Sequence, residues 1–171
     1  MMELFIRKMI EANAIEILNW KYEHPYDFYN NEISIEGLNE LMNNHYDAVV
    51  DQNEQLIGFF CIGQAAQVPK GYDFGVYDEK LIDLGLGIKP ELTGQGFGSQ
   101  FLKFILNHIQ EKTIESSVRL TVAKFNTRAI NLYKKFSFEI DKEFYTDRAD
   151  FITMKLGAGR TGKSRDDREN I

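Results

Sequence analysis

The chain has 171 residues, 43% of them apolar and 27% charged, which suits one ordinary globular domain and excludes wholesale disorder. A formal net charge of −6 with no long basic run removes the usual electrostatic drive for nucleic-acid binding. The one cysteine excludes an internal disulfide, and no apolar run reaches bilayer length, so a cytoplasmic protein without membrane or nucleic-acid partners is expected.

Leu4-Phe5-Ile6 reads as a first strand, followed by a helical stripe through Ile10, Ile15, Leu18 and Tyr22. Pro25 breaks that period and leaves an aromatic loop from Tyr22 to Asn30. Ser34 is placed to cap a short helix that buries Ile35, Leu38, Leu41 and Met42. Two strands follow, Tyr46 to Asp51 and Leu56 to Ile62, joined by the turn Gln52-Asn53-Glu54. Cys61 lies in the second, where a buried inert thiol is the plain expectation. Gly63 to Lys80 has no clear period and is too long for a hairpin turn, so it reads as a functional loop or an irregular strand extension.

The remaining pattern is a strand at Leu81 to Ile88, a helix at Phe97 to Lys112 and a strand at Val118 to Ala123. A helix from Asn126 to Phe136 and strands at Phe138 to Tyr145 and Phe151 to Leu156 complete it. Residues 1–156 make one domain. Residues 157–171 are polar, have no apolar anchor before Ile171, and are expected to be a disordered tail.

Glycine recurs at 94, 96 and 98, between that fourth strand and a helix whose apolar stripe runs through Phe97, Phe101, Leu102, Ile105, Leu106 and Ile109. Glycines at a helix opening allow unusual dihedrals and let an anion reach the free N–H groups of the first turn. A Walker loop is a poor fit, since Gly98-Ser99-Gln100 lacks the lysine, and a dinucleotide fingerprint needs two residues between its second and third glycines. A glycine turn without a ligand stays open at this point. On the strand before it, Asp83, Gly85, Gly87 and Lys89 share one face, and the two glycines leave that side bare for a bulge or a ligand.

In the second informative segment Asn126 is a good N-cap, with Phe125 and Ile130 in the positions of a hydrophobic staple. Tyr133, on the inward stripe of that helix, is by default a core aromatic.

Taken together, the two segments resemble the GNAT family of N-acetyltransferases. Its acetyl-CoA motif, Gln/Arg-x-x-Gly-x-Gly/Ala, is met by Thr93-Gly94-Gln95-Gly96-Phe97-Gly98 with Thr93 in place of the long polar residue. A second motif matches Asn126, Ala129, Leu132, Tyr133 and Phe138, with Ser137 in place of the usual glycine. The resemblance covers about Leu4 to Leu156. It implies a mixed, mostly antiparallel α/β fold with a splayed central sheet flanked by helices, the acetyl-CoA arm entering the splay.

It also implies acetyl transfer from acetyl-CoA, as co-substrate and without a metal, to a primary amine of a small molecule or peptide by direct attack in a ternary complex. Ile88, Thr93, Gly94, Gln95, Gly96, Phe97, Gly98, Ser99 and Asn126 are then the expected acetyl-CoA contacts. Tyr133 becomes the general acid, since a phenol of ordinary pKa about 10 carries its proton at neutral pH. Asp83 is a candidate base, against a solvated strand-end charge or a water chain in its place. Glu23, His24 and Tyr26 border the acceptor pocket or merely pack. The acids Glu23, Asp27, Asp73, Asp78 and Glu79 of the two long loops suit a cationic acceptor. A homodimer is open to such a protein, and a non-catalytic acyl-CoA sensor is the alternative function.

Overall fold

The computed structural model describes residues 2–112 and 117–156, so the expected tail at 157–171 lies outside the described residues. Seven strands follow the order β1-β2-β3-β4-β5-β7-β6 in a mixed sheet that is not closed. They are β1 (Leu4–Lys8), β2 (Tyr46–Asp51), β3 (Leu56–Ile62), β4 (Ile82–Ile88), β5 (Val118–Ala123), β6 (Phe138–Tyr145) and β7 (Asp150–Leu156). Four helices, α1 (Glu11–Asn19), α2 (Ile35–Asn43), α3 (Phe97–Lys112) and α4 (Thr127–Lys135), complete the regular structure with a few 3-10 turns. The chain divides into two compact units, Met1–Ala65 with Leu86–Phe97, and Ala66–Gly85 with Gly98–Ile171. The boundary runs through β4.

In the first unit β1, β2 and β3 pair antiparallel, with a register shift between Val49 and Val50. The β2–β3 turn is organised by Asp51, whose Oδ1 accepts from the N–H groups of Asn53 (2.8 Å) and Gln55 (3.0 Å). The core gathers Met9, Ala14, Ile17, Leu18, Trp20, Leu41, Ala48 and Leu56. The buried face of α1 is therefore Ala14, Ile17 and Leu18, at the i, i+3, i+4 spacing of one helix face. Ile10 and Ile15, expected in the buried stripe, are exposed: Ile10 is the extended residue before the helix, and Ile15 lies about 100° round from Ala14.

Ser34 caps α2 as expected, its Oγ accepting from Gly37 N–H at 3.0 Å. Only Leu41 on that helix is buried, and Leu38 is partly so; Ile35 (76% exposed) and Met42 sit near the two ends of a nine-residue helix, beyond the contact made by its middle. Gly37 allows that contact, since a Cβ there would meet Leu18 Cδ2 at 3.1 Å.

In the second unit the first residues of β4 pair parallel with β5, placing Ile82 opposite Val118, Asp83 opposite Arg119 and Leu84 opposite Leu120. β5 and β7, then β7 and β6, pair antiparallel. Helix α3 buries the anticipated stripe of Phe101, Leu102, Ile105, Leu106 and Ile109, with Phe97 half-buried at its start. Each such side chain contributes about 1.5–3 kcal/mol when fully withdrawn from water. Phe136, Phe138, Val118, Leu120 and Met154 are buried in the same unit.

Gly87 shows how tightly the first unit is packed. The Phe59 ring stacks on Trp20 with centroids 6.0 Å apart, and a Cβ at Gly87 would fall 2.4 Å from Phe59 Cε1. The side of the strand expected to be bare is thus filled at Gly87 by an aromatic ring. Gly87→Ala should cost about 1–3 kcal/mol through overpacking, lowering Tm by roughly 2–10 °C in calorimetry; an unchanged Tm would contradict this packing.

Candidate active site

The turn after β4 begins with Pro90–Leu92, one 3-10 turn closed by Thr93, whose N–H (3.2 Å) and hydroxyl (2.7 Å) both donate to the Pro90 carbonyl. The Thr93 amide, expected to face a ligand, is therefore engaged within the chain. Its short side chain thus closes the turn locally. Gln95 folds back likewise, Nε2 donating to the Glu91 carbonyl at 2.7 Å.

Between and beyond these ties Gly94 (φ +73°) and Gly96 (φ +78°) are left-handed, which glycine adopts without a Cβ penalty. Among the described residues no protein carbonyl accepts a well-formed hydrogen bond from the N–H of Gly94, Gln95 or Gly96. Successive amides around left-handed residues form a concave anion nest. At Gly96 a Cβ would meet nothing within 4 Å, so the dihedral alone demands glycine. Gly98 differs: a Cβ there would stand 3.1 Å from Leu132 Cδ2, so that glycine serves the approach of α3 and α4. Ser99 follows, half-buried in the first turn of α3.

In the second unit Asn126 caps α4, its Oδ1 accepting from Ala129 N–H at 3.1 Å. The capping role expected of Asn126 is met by this bond. Tyr133 is buried at 8% exposure, its ring 6.1 Å from Phe138 and tilted 58°. Ser137 takes φ +72° just after the helix, with its N–H on the Lys134 carbonyl at 3.0 Å. Instead of shifting the turn, the serine adopts the left-handed cap that glycine adopts freely.

In the first unit the loop carrying Glu23, His24 and Tyr26 is tied to the end of β4. Tyr22 N–H donates to Asn30 Oδ1 (2.7 Å), and Tyr22 Oη donates to the Ile88 carbonyl (2.8 Å). Glu23 and His24 are exposed and Tyr26 is half-buried, at the start of a 3-10 turn, Tyr26–Tyr29. The structure thus brings the expected acceptor-side loop to Ile88 through Tyr22, a residue that sequence reading left as a helix-stripe position. Two of the five loop acids have cations of their own, Asp73 with Lys70 (2.9 Å) and Glu79 with Lys155 (3.1 Å), and Asp27 lies 3.3 Å from the His24 ring. The expectation that they jointly attract a cationic acceptor is weakened accordingly.

Asp83 is not a solvated strand-end charge. It is 3% exposed and Arg119 1% exposed. Arg119 Nε donates to Oδ1 at 2.7 Å and Nη2 to Oδ2 at 2.9 Å, while Gln67 Nε2 adds a third bond to Oδ2 at 2.8 Å. Arg119 Nη1 donates to the carbonyls of Val76 (3.2 Å) and Glu79 (3.0 Å), and its guanidinium lies 5.1 Å from the Tyr77 ring centre. The bond to Asp83 raises the Arg119 pKa further, and burial pushes the Tyr77 phenol up. Sequence reading missed Arg119, Gln67 and Tyr77. The available signal was one opposite charge inside each of two apolar strands, which can both be buried only as a pair.

Among the described residues no cluster of three metal-ligating side chains forms, and no helix is long and apolar enough to cross a membrane. Compared with known proteins, residues 11–138 match the Acetyltransferase (GNAT) family. No curated protein matches the chain. Among solved structures it is similar to a spermidine N-acetyltransferase from Vibrio cholerae in complex with CoA and spermine, with TM-score 0.69, 20% identity, and coverage of 94% of this chain and 98% of that one. An uncharacterized protein from Bacillus halodurans gives TM-score 0.71 at 17% identity, covering 91% and 84%. A GNAT-family acetyltransferase from Bacillus anthracis gives 0.66 at 14%, covering 91% and 96%. At these identities the likeness is one of fold.

The left-handed Ser137 yields a stability test. Relief of about 1–2 kcal/mol of Cβ strain outweighs the larger unfolded entropy of glycine, about 0.5–1 kcal/mol. Ser137→Gly should therefore raise Tm by about 1–4 °C, measured by thermal melting; a lower Tm would show that the serine's own interactions outweigh the strain.

Proposed function

The chain belongs to the acetyltransferase (GNAT) family, and we propose that it moves the acetyl group of acetyl-CoA to a primary amine of a small molecule or peptide, by direct attack in a ternary complex. The observation that carries this reading is the nest at Gly94-Gln95-Gly96, whose amides carry no bond within the described residues and which leads into the sixteen-residue helix α3. Such amides, with the positive end of a helix dipole, suit the diphosphate of coenzyme A. The donors are main-chain groups, so the departure at Thr93 leaves them in place.

In the reaction the neutral amine nitrogen attacks the thioester carbon, the carbon–sulfur bond breaks, and the thiolate takes a proton. Tyr133 is the donor we assign, a buried phenol on α4 in the position of the family's acid. The proton lost by the nitrogen returns through water to the phenol, so the cycle closes without a fixed carboxylate base. Asp83 is left out of the chemistry because both its oxygens are held by Arg119. The acceptor side is assigned to the loop of Glu23, His24 and Tyr26.

Two measurements test this. CoA titrated into the protein should bind, and Gly96→Ala should weaken binding about tenfold, because strain of about 1–2 kcal/mol enters the nest. The open space at Gly96 allows the variant to fold. Normal affinity in Gly96→Ala would move the diphosphate elsewhere. With acetyl-CoA and a panel of primary amines, free thiol should appear, and Tyr133→Phe should lower kcat by about 10²–10⁴-fold with CoA affinity kept. Binding without amine-dependent thiol release would instead mark an acyl-CoA sensor.

A further inference from the structure

Among the described residues three of the Phe, Tyr and Trp side chains are exposed, and all three belong to the second unit: Tyr72 (48%), Phe74 (38%) and Tyr145 (62%). Tyr72 and Phe74 lie in the 3-10 turn Pro69–Phe74, and Tyr145 ends β6, the last strand of the sheet. The Phe74 ring centre stands 5.0 Å from that of Tyr145 and 6.1 Å from that of Phe144. Successive residues of a strand point to opposite faces, so a ring that meets both lies over the free edge of β6. Gly71 lets the turn come this close, since a Cβ there would meet Tyr77 Cε2 at 2.7 Å and Phe144 Cζ at 3.4 Å. Tyr72 packs edge-on to Tyr77 at 5.5 Å, and Tyr77 in turn to Phe144 at 6.4 Å. Each exposed ring is thus held by a neighbouring ring and has little freedom left to lose on contact.

Strand addition does not account for this surface. Phe74 covers one end of the β6 edge, and the rest carries the exposed Glu139, Asp141 and Glu143 with a bulge between Ile140 and Lys142. Charge and bulging are the ordinary guards of an edge against pairing. What a partner can use is the rings and their rim. That rim carries both signs: Lys70 pairs with Asp73 at 2.9 Å, while Asp147 forms no ion pair among the described residues. The bond to Asp73, and behind it the fields of Asp73, Asp147 and Tyr145, raise the Lys70 pKa, so these groups are near neighbours. A rim of one sign would repel its own copy, whereas a mixed rim is complementary to itself after rotation.

We propose that this patch joins two copies of the chain about a two-fold axis, with Tyr72, Phe74 and Tyr145 packed on their counterparts and Lys70 of each copy against Asp147 of the other. An aromatic centre inside a charged rim has the anatomy of a specific interface, and a two-fold contact uses the same patch twice. The contact is independent of the acetyl-transfer reading.

Sedimentation equilibrium of the full chain tests it. The unsubstituted protein should dimerise with a Kd of about 10 μM or lower. Tyr145→Ser changes a side chain that is 62% exposed and leaves the core alone, so the variant folds, as circular dichroism can verify. It should weaken the dimer about tenfold or more. Lys70→Glu and Asp147→Lys should each weaken it about threefold or more, and the two substitutions together should restore it. A monomer even at about 100 μM would overturn the proposal and leave the rings to a different protein. A dimer that Tyr145→Ser leaves intact is built on another surface and overturns it too. Single reversals without effect, or a double reversal that fails to restore the dimer, overturn the two-fold pairing of the rims. Growth beyond the dimer overturns a closed contact.

Discussion

Two opposite charges out of water on adjacent parallel strands constrain the second unit more than any apolar contact in it. Asp83 and Arg119 face each other in the β4–β5 register, and each is buried beyond reach of solvent. Removing either leaves an uncompensated charge, a loss of about 3–5 kcal/mol, so the register, the pair and the irregular segment bonded to Arg119 stand or fall together. A slip of one strand by one residue would turn its charge to the face opposite its partner's. The pair therefore specifies strand alignment as well as conformation, and it helps to order a fifteen-residue stretch that has no strand or α-helix.

The glycines of this chain divide into two physical kinds. Gly94 and Gly96 are required by their dihedrals, and around them the amides stay available. Gly87, Gly98 and Gly37 are required by neighbours, each holding a space that a ring or a leucine methyl occupies. A motif written as alternating glycines conceals this difference, because a single letter serves a left-handed turn at one position and helix packing two residues later. Ser137 makes the same point in reverse. It stands where the backbone wants glycine, and the fold keeps the left-handed turn despite the side chain.

Much of the fold was legible because its elements follow simple periods. The strands at Tyr46–Asp51 and Leu56–Ile62 and the helix at Phe97–Lys112 stand where alternation and the 3.6-residue stripe put them. The faces of short helices were less legible: with nine residues, the choice between Ile15 and Ile17 rests on tertiary cover that α1 does not encode alone. Of the site, the glycine turn and the α4 cap could be read locally, since both depend on residues a few positions apart. The roles of Asp83 and Tyr22 could not, since their partners lie 36 and 66 residues away. A carboxylate in a strand looks like chemistry until its counter-ion is found.

The phenol of Tyr22 resting on the Ile88 carbonyl has a bearing on how any extended molecule could lie along the end of β4. A carbonyl oxygen offers two lone pairs, and one of these is already taken by a side chain from the aromatic loop. An amide that bonded the Ile88 carbonyl would share its oxygen with the Tyr22 phenol. The end of β4 and the start of the aromatic loop are in this way joined through a single atom.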